Sequence, residues 1–540
     1  MAGRRRPPPP SRRPARLNSV RERADPVAGC AILAPRNPVT PEESRMSAPV
    51  RVALAPGDGI GPEITQAVLA VFEAARATNH LEFVPVRMGR AVFEQGDSRG
   101  VTDDALAAVE DCGLVFKGPM ETPKGGGGKS INVTLRKLYC AYANIRHFRA
   151  LPGVETVFSR AGVPVNFYVV RENVEDTYGG IEHRLTNDVV ECKRLISAPG
   201  CDQVHRAAFD LARRLGLSRV TCGHKANIMK MTDGLFLERF HAAAADYPGI
   251  LHEDAIIDAL CMNLVLRPHK YELVVLPNLQ GDIVSDLAAG LVGGLGFAPS
   301  ANIGQHVSIF EAVHGSAPDI AGKGIANPTS LLLSGLMMLR HVGLTRIAAT
   351  IENALLATLE DGVRTADFGD PAREPVGTMP FARAIVDRLG STPRSAPPVP
   401  VPERDAPSFT RPERPRMNTL IQTFTQVVSH HAGCDVYVET TISPPELAAH
   451  LQRLCEHTPF TLTMMSNRGT QVWPSGSVFT EVVDYYRVRF ELRNPAELGR
   501  YGQAAAIALL NRIAEKFPVT DFQPLKMYDG RPGFSLAQGQ

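Results

Sequence analysis

Short runs of β-branched residues alternate with longer amphipathic stretches from Val50 to about residue 393, and this alternation constrains the fold more than any other feature. The successive pairs are VRVALA with PEITQAVLAVFEAARA, RVTCGHK with MKMTDGLFLERFHAAAAD, and YELVVLPN with DIVSDLAAGLVGGLG. Strand-like segments that alternate with helix-like ones are typical of α/β folds. We therefore predict an α/β domain with a largely parallel sheet for residues 46–393.

A Pro-rich stretch, STPRSAPPVPVPERDAPSFTRPERPRM, separates this region from the C-terminal part of the chain. Proline-rich composition with charges of both signs is typical of a semi-rigid extended linker, which we assign to residues 394–417. The segments beyond it are DVYVETT, PELAAHLQRLCEH, FTLTMMSN, EVVDYYRVRFEL and AAAIALLNRIAEKF. They predict strands and helices of a separate small α+β domain over residues 418–540.

The first 45 residues, which begin MAGRRRPPPPSRRPARLNSVRERAD, are rich in arginine and proline and show no apolar periodicity. Such a segment cannot bury enough surface to offset its ordering entropy, so we predict a disordered extension over residues 1–45. A mitochondrial transit peptide is the alternative, but PPPP would interrupt the amphipathic helix that it needs. Met46 opens MSAPVRVALAPGDGIGPEI, and a gene model that begins too early is the simpler explanation.

Overall composition excludes several classes of protein. A formal net charge of +2 does not favour a polyanionic partner, so we predict no nucleic-acid binding. The chain has no run of about 18 apolar residues, so we predict no membrane partner. The nine cysteines are odd in number and form no C-x-x-C pair, which suits free thiols in a reducing cytoplasm better than a disulfide framework.

The glycine-rich motif GDGIGPEI, residues 57–64, follows one predicted strand and precedes a predicted helix. A dinucleotide-binding Rossmann turn is one interpretation, but the glycine spacing is G-x-G-x-G rather than G-x-G-x-x-G. We favour a tight turn with Pro62 in the first turn of the following helix.

Polar and cationic residues follow a run of four glycines in KGGGGKSINVTLRKLYCAYANIRHFRA. They are Ser130, Asn132, Arg136 and Arg146, and Arg171 adds a further guanidinium in RENVEDTYGGIEH. Arginine forms bidentate pairs with carboxylates, so this group would suit a substrate with several carboxylates. The alternative is a solvated, charged helix face.

Two residues are candidates for proton transfer. Tyr178 lies near Arg171, and a tyrosine near cations can have a lowered phenol pKa and serve as an acid. Lys225 follows the strand-like RVTCGH, where α/β sheets place ligands, and would act as a base if desolvated or near other cations. A tyrosine in a surface loop is the alternative for Tyr178.

Acidic residues are the most specific feature of the sequence. NLQGDIVSDLAAG places Asp282 and Asp286 four residues apart, so both carboxylates should lie on one face of a helix. Asp258 interrupts an apolar helical pattern, and an interior aspartate must be paired or bound to an ion. Carboxylate oxygens with few other donors suit Mg²⁺ or Mn²⁺.

Together these segments resemble the decarboxylating β-hydroxyacid dehydrogenases, and most closely the isocitrate dehydrogenases. The shared motifs, in order, are GDGIGPE, S-x-N-x-x-x-R, R-E-N-x-E-D-x-Y-x-G-I-E, K-x-N-I-M-K, N-x-x-G-D-x-x-S-D, G-G-L-G-x-A-P-x-A-N-I-G and H-G-S-A-P. The tail resembles the extra C-terminal domain of thermophile-type bacterial isocitrate dehydrogenases. The resemblance implies an isocitrate/isopropylmalate dehydrogenase-like fold with a separate small α+β domain.

The resemblance also implies oxidative decarboxylation of isocitrate to 2-oxoglutarate and CO₂ in the tricarboxylic acid cycle. The implied isocitrate ligands are Ser130, Asn132, Arg136, Arg146 and Arg171. The implied metal ligands for Mg²⁺ or Mn²⁺ are Asp282 and Asp286, with Asp258 supplied by the other subunit of a homodimer that shares its active sites. Lys225, also from the second subunit, would help to remove the hydroxyl proton of isocitrate, and Tyr178 would protonate C3.

The loop HGSAPDIAG resembles the adenosine-side cofactor loop of the family. The implied cofactor residues are Thr122, Asn227, His314, Gly315, Ala317, Asp319, Ile320 and Asn327. Asp319 and Ile320 would face the ribose that distinguishes NAD from NADP. A carboxylate accepts hydrogen bonds from the ribose hydroxyls of NAD and repels the 2′-phosphate of NADP, so we predict NAD as the cofactor. NADP-linked relatives are expected to carry Lys and Tyr at these two positions.

Several alternatives remain within the resemblance. A sister dehydrogenase acting on isopropylmalate, homoisocitrate or tartrate would keep the metal-binding aspartates without needing Ser130 or Asn132. An NADP-linked isocitrate dehydrogenase is another candidate. A non-catalytic regulatory subunit would be expected to lack metal-binding or acid residues, and the sequence retains all of them.

Overall fold

The computed structural model describes residues 48–121, 130–406, 409, 428–476 and 479–536. Residues 1–45, for which the sequence predicts disorder, lie outside the described residues. The described chain forms a ten-stranded sheet, a six-stranded sheet and a separate two-stranded hairpin.

The ten-stranded sheet is mixed. Its strands and the hairpin are β1 (Val50–Ala55), β2 (Leu81–Pro85), β3 (Leu114–Lys117), β4 (Ala143–Arg149), β5 (Asn166–Glu172), β6 (Glu182–Arg184), β7 (Val190–Cys192), β8 (Arg219–His224), β9 (Leu251–Ile256), β10 (Leu273–Leu276), β11 (Pro299–Ile303) and β12 (Ser308–Ala312). The strand order is β2-β1-β3-β12-β11-β4-β5-β10-β8-β9, and β6 pairs with β7 alone.

The centre of this sheet departs from the predicted parallel arrangement. Strand β4 runs antiparallel to both β5 and β11, and β11 runs antiparallel to β12. The remaining neighbours are parallel. A short loop connects β11 to β12, and short connections favour antiparallel hairpins, whereas parallel neighbours need long crossovers. The sheet is therefore parallel on its flanks only.

Helices cover both faces of the sheet. They are α1 (Gly61–Ala74), α2 (Arg90–Glu94), α3 (Asp103–Cys112), α4 (Ile131–Leu138), α5 (Val157–Arg160), α6 (Ala198–Leu215), α7 (Thr232–Ala244), α8 (Ile257–Leu266), α9 (Asn278–Leu291), α10 (Thr329–His341), α11 (Thr345–Glu360) and α12 (Thr378–Val386). Val52 and Leu54 of β1 pack into one hydrophobic cluster, whereas Ala53 and Ala55 pack into another, because successive strand residues point to opposite faces. Among the described residues, no helix is long and apolar enough to cross a membrane.

The motif GDGIGPEI forms the tight turn between β1 and α1. Helix α1 begins at Gly61, with Pro62 in its first turn. A Cβ atom on Gly57, where φ is +85°, would lie 2.2 Å from the carbonyl oxygen of Pro119, so the close approach requires glycine. The Ile60 N–H donates to the Ser316 carbonyl over 2.8 Å, which joins this turn to the predicted cofactor loop.

The C-terminal part forms the predicted small α+β domain. Its elements are β13 (Ser429–Glu439), α13 (Pro444–Cys455), β14 (Phe460–Asn467), β15 (Thr470–Trp473), β16 (Tyr485–Leu492), α14 (Gln503–Ala514), β17 (Val519–Tyr528) and β18 (Arg531–Pro532). The strands form an antiparallel sheet in the order β15-β14-β16-β13-β17-β18. This domain has its own hydrophobic core, which includes Val436, Leu451, Phe490 and Leu509.

The described part of the Pro-rich stretch packs on the α/β domain. The Val399 N–H donates to Asn353 Oδ1 over 2.8 Å, and the Ala406 N–H donates to the Gly343 carbonyl over 3.1 Å. Asp405 Oδ1 accepts the Arg346 N–H over 2.7 Å. Residues 394–406 therefore lie against α10 and α11. The boundaries of the linker stay a prediction, because most of residues 407–427 lie outside the described residues.

The β6–β7 hairpin region contacts the C-terminal domain. Thr186 Oγ1 donates to Asp484 Oδ1 over 2.8 Å, and Lys193 Nζ lies 3.3 Å from Asp521 Oδ2. These polar contacts attach the C-terminal domain to a segment that lies between the predicted site residues Tyr178 and Lys225.

Candidate active site

Three arginines from separate elements meet at one site. Arg136 comes from α4, Arg146 from β4 and Arg171 from β5. Burial, together with the positive charges of Arg171 and Arg136, lowers the pKa of Arg146 to about 10. Burial, together with the charge of Arg136, also lowers the pKa of Arg171. Three guanidinium groups at one site are suited to an anion with several charges.

A cavity of about 100 Å³ opens between two of these arginines and the predicted cofactor loop. Its lining includes Asn132, Arg136, Arg146, His314 and Gly315. Asn132 Oδ1, Arg136 Nε and His314 Nε2 are buried without a hydrogen-bond partner among the described residues. Buried polar atoms are costly when unpaired, so this cavity is suited to a polar ligand that would satisfy them.

Ser130, the remaining predicted substrate ligand, occupies the N-cap position of α4. Its side chain makes no capping hydrogen bond, and its carbonyl accepts the Thr134 N–H over 2.9 Å. The structure therefore places Ser130 on the same helix as Asn132 and Arg136, two residues before the first of them.

Tyr178 lies directly beside the arginines and the predicted metal ligands, in a short turn at Thr177–Gly179. Its hydroxyl donates to Asp282 Oδ2 over 2.6 Å, and the Arg171 guanidinium lies 4.9 Å from its ring centroid. Burial is the main cause of a raised Tyr178 pKa, the bond to Asp282 adds to it, and Arg171 opposes both. The expectation of a lowered Tyr178 pKa is wrong, because burial and the Asp282 carboxylate outweigh the lowering effect of Arg171. A phenol that stays protonated suits a proton donor.

Asp282 and Asp286 lie on one face of α9, as their spacing predicts. Asp282 forms an ion pair with Arg171, and the two aspartates lie 3.8 Å and 3.6 Å from different nitrogens of Arg146. Although burial raises the pKa of Asp282, Arg171 and the Tyr178 hydroxyl hold it below its usual range. Burial and the charge of Asp282 raise the pKa of Asp286, against the effect of Arg146.

Contrary to expectation, Asp258 does not lie in the interior. Its side chain is 68% exposed, in the first turn of α8, and it pairs with Lys225 Nζ over 2.6 Å. The apolar pattern that suggested burial belongs to a helix with exposed Met262 and Leu266 rather than to a buried one. The expectation that Asp258 is paired is confirmed, whereas the expectation that it is buried is wrong within a single chain.

Within one chain, the carboxylates provide only part of the predicted ligand set for a divalent cation. Asp282 and Asp286 offer adjacent carboxylate oxygens, and Mg²⁺ is commonly held by one or two carboxylates while it keeps several waters. Among the described residues, no group of three His, Cys, Asp or Glu side chains could hold a metal. One chain therefore brings together two of the three predicted metal ligands.

The loop predicted to bind the adenosine side of the cofactor lies between β12 and α10. His314 Nδ1 lies 2.9 Å from the Gly315 carbonyl, and burial lowers the His314 pKa. Ala317 adopts a φ of +41°, which turns the chain into the short helix Pro318–Ile320. Asp319 is exposed, whereas Ile320 is partly buried and packs against the main core. Of the two residues expected to face the ribose, Asp319 is the one freely exposed.

The remaining predicted cofactor residues lie apart along the chain. Asn327 is buried and donates to Asp367 Oδ2 over 3.0 Å, so it links the predicted cofactor loop to the loop that contains Asp367. Asn227 is exposed in the turn that follows β8, two residues after Lys225. Thr122 lies outside the described residues.

Comparison with known proteins defines the family. Residues 51–385 match the family model described as isocitrate/isopropylmalate dehydrogenase. The chain belongs to the isocitrate/isopropylmalate dehydrogenase family. Residues 429–540 match the model described as the C-terminal domain of bacterial isocitrate dehydrogenase.

The relatives in this family are named for different cofactors. The chain is 43% identical over 495 residues to a Thermus thermophilus protein named as an NADP isocitrate dehydrogenase, covering 91% of this chain and 96% of that one. It is 45% identical over 345 residues to an Arabidopsis thaliana protein named as an NAD isocitrate dehydrogenase catalytic subunit, covering 64% of this chain and 89% of that one. A crystal structure of a Thermus thermophilus protein superimposes with a TM-score of 0.82 at 43% identity, covering 91% and 96% of the two chains.

The sequence analysis missed a buried cluster of charged side chains that contacts Arg136, one of the three arginines of the site. Glu311 on β12 lies 2.5 Å from Lys117 Nζ at the end of β3, and it accepts a hydrogen bond from Arg136 over 2.8 Å. Although burial raises the pKa of the Glu311 carboxyl, Lys117 and Arg136 together hold it well below its usual range. The available signal was a lone charged residue in each of two apolar strands, LVFK and SIFEA, because buried charges must be paired.

Proposed function

We propose that this protein catalyses the oxidative decarboxylation of isocitrate to 2-oxoglutarate and CO₂ with a nicotinamide cofactor. The observation that carries the proposal is the convergence of Arg136, Arg146 and Arg171 beside Tyr178 and Asp282. Isocitrate carries three carboxylates, and each guanidinium is a bidentate partner for a carboxylate. Family membership and the isocitrate dehydrogenase names of the relatives support the same reaction.

Asn132 and Ser130 would provide the polar contacts that separate isocitrate from substrates with an apolar side chain. Asn132 lines the cavity, and its side-chain amide N–H would donate a hydrogen bond to a carboxylate there, so a substrate that carries a carboxylate at this position gains relative to one that does not. Isopropylmalate carries an apolar group at the corresponding position and would leave this amide donor without an acceptor. This contrast favours isocitrate over the sister substrate.

The chemistry is divided between two groups of side chains. Asp282 and Asp286 would hold Mg²⁺ or Mn²⁺, and such an ion would supply Lewis-acid polarisation of the C2 oxygen. Lys225 of the partner subunit would take the C2 hydroxyl proton, and the nicotinamide cofactor would serve as the acceptor of the hydride from C2. The bond between C3 and its carboxylate would then break to release CO₂, leaving the electron pair at C3 next to the C2 carbonyl. Tyr178 would deliver its hydroxyl proton to C3, which gives 2-oxoglutarate.

The arrangement of Lys225 supports a homodimer with shared active sites. Within one chain, Lys225 contacts Asp258, whereas Tyr178 contacts Asp282. The face of α8 that carries Asp258 exposes Met262, Val265 and Leu266, and α9 exposes Ile283. Exposed apolar side chains on adjacent helices are typical of a subunit interface. We propose that a second copy of the chain covers this face and completes each site with its Lys225 and Asp258.

For the cofactor we propose NAD. Asp319 is exposed on the cofactor loop, where a carboxylate would accept hydrogen bonds from ribose hydroxyls and repel a 2′-phosphate. The NAD name of the Arabidopsis thaliana relative agrees with this proposal. The NADP name of the Thermus thermophilus relative, which matches both domains, favours NADP as the second candidate.

The unaltered enzyme is expected to prefer NAD by at least about tenfold in kcat/KM, equivalent to about 1.4 kcal/mol of discrimination. The double variant Asp319→Lys with Ile320→Tyr should shift the preference toward NADP, because it replaces repulsion of the 2′-phosphate by an ion pair. Asp319→Asn is the matched control, since it removes only the charge. Steady-state kinetics with both cofactors measure the effect. Equal efficiency with both cofactors, or an NADP preference in the unaltered enzyme, would refute the proposal.

The C-terminal domain, we propose, folds by itself and serves assembly or stability. Its hydrophobic core is separate from that of the catalytic domain, and the chemistry residues lie outside it. A chain cut near Met417 should therefore still bind isocitrate and Mg²⁺, as measured by calorimetry. It should unfold at a lower temperature, because the contacts of Thr186 and Lys193 with this domain are lost. Loss of both ligands in a folded, dimeric truncation would contradict this role.

A further inference from the structure

A single guanidinium, that of Arg194, bridges two fully buried carboxylates. Arg194 follows the β6–β7 hairpin, and its side chain is 15% exposed. It forms ion pairs with Asp176 through Nε and with Asp233 through Nη1. Both aspartates are 0% exposed. Carboxylates at this depth require partners on every oxygen, so their remaining contacts define what the bridge holds together.

Asp176 fixes the segment of the proposed proton donor and the helix of the proposed metal ligands. Its Oδ1 accepts the Thr177 N–H over 2.8 Å, one residue before Tyr178. Its Oδ2 accepts the Leu279 N–H over 2.9 Å, in the first turn of α9. This carboxylate therefore joins the Tyr178 turn to α9, which carries Asp282.

Asp233 fixes the segment of the proposed base and the same helix. Its Oδ2 accepts the backbone N–H of Lys225 over 2.6 Å and the Gln280 Nε2–H over 3.0 Å. Arg194 Nη1 also lies 2.9 Å from Met229 Sδ, in the loop that follows Lys225. The second carboxylate therefore joins the Lys225 loop to α9.

The backbone at Asp176 is held in an unfavourable conformation. Its φ is +66°, a region that non-glycine residues rarely adopt. Its N–H donates to the Leu195 carbonyl over 2.9 Å, next to Arg194 in the chain. Such conformations persist where the surroundings over-determine them, and they concentrate at functional sites. Residues 194 and 195 thus restrain Asp176 through both its side chain and its backbone.

We propose that Arg194 is a positioning residue that couples the two active sites of the dimer. This inference rests on the proposed shared-site dimer, in which the Tyr178 and Lys225 of one chain serve different sites. Arg194 contacts the carboxylates that hold both segments, so its displacement would disturb the donor of one site and the base of the other. Lysine at this position keeps the charge but lacks the planar fork that reaches two carboxylates at once.

In the homodimer, Arg194→Lys is expected to lower kcat about tenfold to a hundredfold, as small misplacements of reacting groups do. The KM for isocitrate should change less than about threefold, because Arg136, Arg146 and Arg171 lie on α4, β4 and β5 rather than on the segments that Arg194 holds. Arg149→Lys is the matched control, since Arg149 is similarly buried and pairs with Glu352 outside this network. An unchanged kcat, or an equal loss of kcat in the control, would overturn the positioning role.

Gln280→Met is a milder variant that remains informative if Arg194→Lys does not fold. It removes one hydrogen bond to Asp233 and leaves the ion pairs intact. A fall in kcat of about threefold or more with unchanged KM supports the network, since only an interaction that acts in the transition state gives that pattern. A change confined to the thermal unfolding temperature would overturn it.

Mixed dimers separate this inference from the proposed function. A Tyr178→Phe chain combined with a Lys225→Met chain should form one intact site from the Tyr178 of one chain and the Lys225 of the other. Recovery of activity that neither parent possesses would support the shared site. Absence of recovery would refute the shared-site dimer itself, whatever the effect of Arg194.

Arg194→Lys is then placed on either chain of the active mixed dimer in turn. We expect kcat at the intact site to fall in both arrangements. The intact site uses the Tyr178 turn of one chain and the Lys225 loop of the other, and each of these segments is held by the Arg194 of its own chain. A fall in only one arrangement would show that Arg194 positions a single segment and would overturn the coupling. A fall in neither would overturn both positioning and coupling.

Discussion

Tyr178→Phe is expected to lower kcat by about 10² to 10⁴, the usual contribution of a positioned acid. The substitution removes only the hydroxyl, which is the group that donates to Asp282 and, in the proposed reaction, the group that protonates C3. The ring and its contact with Arg171 remain, so the KM for isocitrate should stay close to that of the unaltered enzyme. Steady-state kinetics at saturating metal and cofactor measure both quantities.

Tyr247→Phe is the matched control for this prediction. Tyr247 also donates its hydroxyl to an aspartate, Asp210, over 2.9 Å, but it packs between α6 and α7 and away from the arginine site. Removal of the Tyr247 hydroxyl should affect the stability of the protein and leave kcat unchanged. A Tyr178→Phe enzyme with normal kcat and only a raised KM would exclude the acid role, because the hydroxyl would then contribute to binding alone.

Asp282→Asn is expected to raise the Mg²⁺ concentration for half-maximal activity by at least about tenfold and to lower kcat. Even residues that only support metal ligands typically cost tenfold or more in affinity, and a ligand should cost at least as much. The change also removes the charge that pairs with Arg171, a guanidinium that is only 1% exposed. Metal titrations of activity, with calorimetry of Mn²⁺ binding as a direct readout, measure the effect.

Asp202→Asn is the control for the loss of an aspartate that pairs with arginine. Asp202 forms an ion pair with Arg239 over 2.7 Å between α6 and α7, outside the candidate site. This variant should bind Mn²⁺ normally. If Asp282→Asn retains the activity of the unaltered enzyme at low Mg²⁺, the assignment of Asp282 as a metal ligand is wrong.

Local patterns were sufficient to predict the elements that carry the site. VRVALA coincides with β1, and the helix-like run that contains Asp282 and Asp286 became α9. The four-residue spacing placed both carboxylates beside Arg146, because side chains four apart on a helix share a face. These predictions depend only on periodicity within one segment.

Features that depend on contacts between distant segments could not be predicted in this way. The pairing of Glu311 with Lys117 joins two strands that are neighbours in the sheet but far apart in sequence. Asp258 lies in an apolar run, and nothing within that run distinguishes a helix buried in its own domain from one that is exposed. The Tyr178 pKa depends on burial and on Asp282, which outweigh the visible cations. Such outcomes require the tertiary arrangement.

The most direct test of the central claim follows the absorbance of reduced nicotinamide with isocitrate, isopropylmalate, homoisocitrate or tartrate as substrate, in the presence of Mg²⁺. Each substrate is tested with NAD and with NADP, and the products with isocitrate are identified as 2-oxoglutarate and CO₂. We predict turnover with isocitrate, more efficient with NAD, and little with the other three acids. No turnover of isocitrate with either cofactor, or more efficient turnover of another acid, would contradict the account.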